Sequence, residues 1–345
     1  MSPSRRLALA AGPLLVLGYC VINSTKSVFE GALVQDLSPE FIAFNSFVVA
    51  QVFYFFTLRD KTALKAVVRR CLPDVIMLNV STAVCWIAVL YAFTVFEPAM
   101  ANSMIIGLGP TITIVLGFKL RPGTKALPLE LVAAGAMLAA MGYLLAMASS
   151  GSSAIGDLPT GELVFGVVAC VLTSTSLSGV TYYTKRLGDA GMSVRQMMAS
   201  RFFALIVATL AILLVRGSFE AYSPGNVGAI LAISVVGVII SLYLLQQGIV
   251  RTEPITVSML FGTNLVITYV VQFLDPRLHQ SQHTLIGILV LSAAMCVGTW
   301  ARWHAGRSAP AAVADADPGT GTVADPGTDP AADPDSVTDR EGSRT

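Results

Sequence analysis

Apolar runs, each about as long as a bilayer core is thick, follow one another ten times between residues 7 and 303. No other feature narrows the fold so far, because about 20 helical residues cross the hydrocarbon. Composition agrees: 54% of residues are hydrophobic and 12% charged, against roughly 25% charged in a soluble domain. Membrane-spanning helices are predicted near 7–28, 40–58, 74–94, 98–118, 128–148, 161–184, 194–215, 226–249, 254–274 and 283–303. Pro39, Pro73, Pro98, Pro128, Pro224 and Pro254 fall at or just before helix starts, where a missing N–H costs little.

Short connections make sequential neighbours antiparallel, and the basic residues then orient the chain. With the N-terminus inside, Arg5, Arg6, Arg59, Lys61, Lys65, Arg69, Arg70, Lys119, Arg121, Lys125, Lys185, Arg186, Arg195, Arg251, Arg302 and Arg307 share one side, sixteen in all. Only Arg216 and Arg277 fall on the other. That bias marks the basic side as cytoplasmic, so both termini of a multi-pass cell-membrane protein are expected in the cytoplasm. "MSPSRRLALAAG" begins like a signal peptide, but the apolar run continues through Val21 without a convincing cleavage site and is read as an uncleaved first span. Residues 305–345, rich in Ala, Asp, Pro, Gly and Thr with eight acidic residues, cannot bury enough surface to offset ordering entropy. They are expected to form a disordered acidic cytoplasmic tail.

Net charge of +1 gives no pull toward nucleic acid. The five cysteines are odd in number and lack C-x-x-C spacing, so neither a disulfide framework nor a zinc site is expected.

Glu97-Pro98 and Glu253-Pro254 each sit in a polar gap between apolar runs, 156 positions apart. At the same offset Lys119 aligns with Asp275, and at 154 "LAAMGYLL" aligns with "SAAMCVGT". The chain divides into residues 1–150 and 151–304, each with five spans. Five is odd, so the second half enters the membrane from the opposite side. The expected fold is therefore an all-α integral membrane protein, ten transmembrane helices in two inverted five-helix repeats, an arrangement suited to alternating access. The Glu-Pro pair itself reads mainly as a helix start, a carboxylate near the positive end of the dipole followed by proline at N1.

In these features the chain resembles the drug/metabolite transporter superfamily, specifically its EamA-type ten-helix group, over residues 7–303. The resemblance rests on the two five-helix halves, on Lys26 and Lys185 near the ends of each half's first span, and on Arg201 in the second span of the second half. It also rests on "TEPITVSMLFGTNLVITYVVQFLD" followed by "TLIGILVLSAAMCVGTW". The chain departs from the group where Lys119 and Asp275 replace the Glu common after each half's fourth span, and where Asn45 stands near an expected Arg. Those losses weigh against a pathway built on those charges. The resemblance implies secondary transport of a small molecule, commonly export of an amino-acid-like or drug-like compound, without ATP hydrolysis.

Polar residues inside spans are costly unless paired or wetted, so they are the candidates for a substrate pathway. Tyr19, Asn23, Lys26 and Glu30 share one face of the first span; Lys26 either snorkels beside Glu30 or attracts a carboxylate or phosphate. Asn79, Thr82 and Trp86 follow at helical spacing in the third span, Trp86 too deep for an interfacial belt. Asn102 and "GLGP" in the fourth span suggest a kink that exposes carbonyls. Tyr182 lies on a hydroxyl-rich face of the sixth span, Arg201 about 12 Å into the seventh, Tyr243 and Gln246 in the eighth, and Asn264 in the ninth. Arg201 has two readings, a structural ion pair or a substrate contact.

The spans hold no cluster of His, Asp and Glu and no nucleophile with its base, and no G-x-x-x-x-G-K-[ST] loop occurs. An enzyme, a metal site and a cofactor are therefore not expected. The expected partners are the lipid bilayer and a small-molecule substrate, with a homodimer left open. Uptake or exchange, or a non-transporting membrane assembly protein, are the alternatives to export of a small polar or amphipathic metabolite.

Overall fold

The computed structural model describes residues 3–120, 127–150, 158–220, 222–251, 254–278 and 281–314, and all regular structure among them is helical. The helices are α1 (Pro3–Leu33), α2 (Pro39–Thr57), α3 (Lys61–Arg70), α4 (Leu72–Val95), α5 (Pro98–Leu120), α6 (Pro128–Ser149), α7 (Thr160–Asp189), α8 (Val194–Ser200) and α9 (Phe203–Arg216). There follow α10 (Pro224–Ala232), a π-helical stretch (Ile233–Ile240), α11 (Ser241–Arg251), α12 (Pro254–Val271), a 3₁₀ turn (Gln272–Leu274) and α13 (Gln282–Ala314). Five of the prolines open their helices and Pro73 stands second in α4, as expected for residues without an N–H to satisfy.

Among the described residues, seven helical segments are long and apolar enough to cross a membrane. Predicted spans also fall on α1, α5 and α12, and part of each lies outside the residues whose side chains are described. Many large apolar side chains point outward, among them Leu131, Val164, Val207 and Leu214, which suits lipid as the surrounding solvent.

The interior is held by close helix contacts at small residues. α4 lies against α7, where a Cβ on Gly166 would meet the Phe96 ring at 2.5 Å. α1 lies against α11, where a Cβ on Gly248 would meet Val16 at 2.6 Å. α1 also packs on α12, α5 on α7, α2 on α9, and α12 on α5. Lipid tails are as apolar as leucine, so such contacts depend on backbones coming close enough for van der Waals packing.

Three features depart from the expected helices. The seventh predicted span is interrupted at Arg201 and Phe202, between α8 and α9. The eighth contains eight residues of π-helix, and the Tyr54 hydroxyl donates to the Ile239 carbonyl there at 2.9 Å. The connection after Thr57 holds an extra helix, α3, whose Leu64 is buried while Lys61, Lys65, Arg69 and Arg70 are exposed.

The described residues up to Ala305 form one compact unit, and those that follow, 306–314, are helical. The rest of the tail expected to be disordered, 315–345, lies outside the described residues, as does Glu253 of the second Glu-Pro pair.

Candidate functional site

Two buried cations meet the same face of α4. Lys26 places its ammonium 3.2 Å from the Glu30 carboxylate, with the two side chains 5% and 3% exposed. The same ammonium stands 4.1 Å from the centre of the Trp86 ring, a cation–π contact that gains strength where water is excluded. Gly237, in the π-helical stretch, makes room for the Lys26 stem: a Cβ there would come within 2.6 Å of Cγ and Cδ. Lys26 is thus held inside the protein and does not reach for an interface.

Arg201 approaches one turn away, at Thr82, which is four residues from Trp86 or about 6 Å along the helix. Its Nη2 is 3.5 Å from the Thr82 hydroxyl and its Nη1 3.9 Å from the Met198 sulfur. The residue is 5% exposed, its Nε has no partner, and no carboxylate lies within ion-pair distance of it among the described residues. A guanidinium stays charged inside a protein, and burying it without a counter-ion is costly. Cys85 lies within electrostatic reach of both Arg201 and Lys26. Trp86, Phe47 and Phe202 continue the wall, with ring centres 4.9 Å and 5.1 Å apart in succession.

The break that carries Arg201 is built by two amides. In an unbroken helix the Ser200 carbonyl would accept from the Ala204 N–H. Instead the Asn79 amide stands between them, donating to Ser200 O at 2.7 Å and accepting from Ala204 N at 3.3 Å. Gln51 donates to the neighbouring Ala199 carbonyl at 2.6 Å. Irregular backbone at membrane depth needs such replacement partners, and a side chain inserted in the ladder is a known cause of a helix break.

The end of the molecule carrying Arg216 is tied by polar bridges. Glu40 accepts from the Ser218 hydroxyl at 2.8 Å and the Tyr91 hydroxyl at 3.1 Å, while Arg216 donates to Tyr91 at 2.8 Å. Glu97 accepts from Thr284 at 2.7 Å, joining the start of α5 to α13, so this carboxylate does more than open a helix. Arg277 clasps Asp275 at 2.6 and 2.9 Å and reaches the Ala32 carbonyl at 3.2 Å. The guanidinium beside Asp275 holds its carboxyl below the usual range, and the Asp275 carboxylate raises the pKa of Arg277. At the opposite, basic end, Arg186 pairs with Asp74 at 3.2 Å.

The structure gathers some of the predicted pathway residues and separates others. Lys26, Trp86 and Arg201 come together. Asn79 lies beside them but spends its amide on the helix break. Tyr19 and Asn23 continue the Lys26 face of α1, with Tyr19 edge-on to Phe261 at 5.9 Å. Asn264 is buried in a knot with Ser24 and Thr268 that fastens α1 to α12, a packing role. Tyr182 stands with Tyr183 and Arg186 at the basic end. Tyr243 is exposed on the outer wall, Gln246 is half-buried on α11, and Asn102 is buried on α5, its amide nitrogen without a partner among the described residues. Gln51, Tyr54 and Gly237 were not anticipated. A glutamine and a tyrosine deep in a span signal a need for partners, but which backbone they serve is set by the packing.

Residues 164–299 match the model of the EamA-like transporter family. The match, over somewhat less than half of the chain, supports the resemblance to the drug/metabolite transporter superfamily. No curated protein matches the chain. Six solved chains do; one, titled only "Crystal structure of protein", is 15% identical, covers 87% of this chain and 98% of its own, and superposes with a TM-score of 0.56. At that identity it shows the fold alone.

Proposed function

From this EamA-like chain we propose a secondary transporter of the cell membrane that exports a small organic metabolite bearing a carboxylate or similar anionic group. The compound is amino-acid-like or drug-like, and it passes between two inverted five-helix halves by alternating access. Ten helices cross the bilayer, with both termini in the cytoplasm.

One observation carries the substrate reading: Arg201 is a buried guanidinium with no carboxylate of its own among the described residues. An anion bound beside Thr82 completes its pairing, and the Trp86–Phe47–Phe202 wall supplies an apolar face for the rest of the molecule. The helix contacts support the inverted halves. Exchanging each helix for its counterpart in the other half turns the α4–α7 contact into that of α11 and the π-helical stretch with α1, and the α5–α7 contact into α12–α1. It leaves α2–α9 and α5–α12 unchanged. Export follows the family resemblance.

The test is efflux from proteoliposomes loaded with paired compounds, aromatic carboxylates and their neutral amides. Wild type is expected to release the acids selectively, and folded Arg201→Gln to lose that selectivity. Equal release of acid and amide by wild type, or selectivity retained by Arg201→Gln, refutes the reading.

A further inference from the structure

We propose that the groove between α3, α4 and the α8–α9 break is a binding site for one anionic phospholipid. The groove has a volume of about 540 Å³, within the roughly 300–1,000 Å³ typical of ligand pockets. Its walls are almost entirely apolar, and three of the side chains along it, Ile76, Val80 and Phe203, are 50%, 46% and 52% exposed. On a membrane-spanning bundle such an outward apolar wall faces hydrocarbon, where a lipid chain is the natural occupant.

The charge lies at one end. Lys61, Lys65 and Arg69 line the groove at i, i+4 and i+8 of α3, one stripe of an exposed helix. α3 sits between the end of α2 and the start of α4, which sets it at the membrane edge, at headgroup level. None of the three cations forms an ion pair among the described residues, and Lys61 stays close to the apolar wall, 4.6 Å from the Phe55 ring centre. An apolar slot capped by unpaired cations at the interface is complementary to acyl chain and phosphate together, and a soluble peptide has no route to the bilayer-facing wall. Asn79, Ala199 and Ser200 also line the groove, so a bound chain lies against the helix break that aims Arg201.

The test uses the full-length protein in detergent with equimolar phosphatidylglycerol and phosphatidylcholine of identical chains, and native mass spectrometry to count retained lipid. Wild type is expected to retain phosphatidylglycerol preferentially. Each basic residue near a membrane surface contributes on the order of a fivefold preference, so a Lys61→Gln, Lys65→Gln, Arg69→Gln triple variant is expected to lose on the order of a hundredfold. Arg195→Gln, exposed at the same end but outside the groove, is expected to leave the ratio unchanged. In a Val80→Trp variant, brominated phosphatidylglycerol is expected to quench the added fluorescence more than brominated phosphatidylcholine. An unaltered ratio in the triple variant, loss of the ratio in Arg195→Gln, or equal quenching by both lipids overturns the proposal and leaves ordinary annular lipid in the groove.

Discussion

Asn79→Leu separates what the helix break does for stability from what it does for transport. The amide makes two bonds to the break, to Ser200 O at 2.7 Å and from Ala204 N at 3.3 Å. A buried neutral hydrogen bond contributes about 1 kcal/mol net, so their loss costs about 2 kcal/mol. Leucine is similar in size and leaves no large cavity. With the amide gone, the Ser200 carbonyl and Ala204 N–H are free to bond to each other as a regular helix requires, which returns about 1 kcal/mol. The side chain's bond to the Val75 carbonyl at 2.9 Å is lost as well, about 1 kcal/mol more, so the net loss is about 2 kcal/mol, a fall of about 4–8 °C in apparent melting temperature for a chain of a few hundred residues. Closing the break also turns Arg201 away from Thr82, so transport is expected to fall to background in a protein that remains folded. Melting in detergent and efflux from proteoliposomes, measured on the same preparation, check both halves. A fall beyond about 10 °C means that the two backbone groups stay unpaired, at about 1–3 kcal/mol each, and refutes re-closure. Full transport by the variant refutes the claim that the break aims Arg201.

Gly237→Ala is expected to displace the Lys26 stem, whose Cγ and Cδ lie 2.6 Å from the new Cβ; overpacking of this kind costs about 1–3 kcal/mol and shows as a lowered melting temperature with weakened efflux. Trp86→Leu removes the ring 4.1 Å from the Lys26 ammonium and 4.9 Å from Phe47; a desolvated cation–π contact of about 2 kcal/mol and an aromatic pair of about 1 kcal/mol together set a stability loss of about 3 kcal/mol to be read in the same melt. Asp275 gives a pH signature. Arg277 lowers its folded pKa below the ordinary aspartate value, so its contribution is present above that ordinary value and is lost as pH falls through the lowered one. Melting temperatures followed from roughly pH 5 to pH 2 are expected to drop less steeply in Asp275→Asn than in wild type, and parallel curves refute the assignment.

The helical segments were readable because proline marks helix starts and a bilayer imposes a length. Pro39, Pro98 and Pro128 gave helix starts within a residue or two of those observed. Part of the site was readable for a related reason: Lys26, Trp86 and Arg201 are expensive in a span, and expense points to a partner. The break at Arg201 was not, because "MMASRFFALIV" has no glycine or proline in it, and the interruption is imposed by Asn79 and Gln51 from two other helices. Likewise Gly237 is one of 29 glycines, and only the approach of Lys26 shows why it matters. Asn264 and Asn79 looked alike in the sequence, yet one ties two helices together and the other opens one, a difference that lives in packing.

Lys26 and Arg201 against Glu30 leave the buried site with one positive charge when it is empty. On the proposed mechanism a substrate with one negative charge makes the loaded site electrically neutral. The loaded crossing then moves no net charge, and the membrane potential acts on the empty return alone, with a leverage of about 2.3 kcal/mol per 100 mV for a charge that crosses the whole field. A carrier built this way has its resting orientation set by voltage, and its cargo is carried silently.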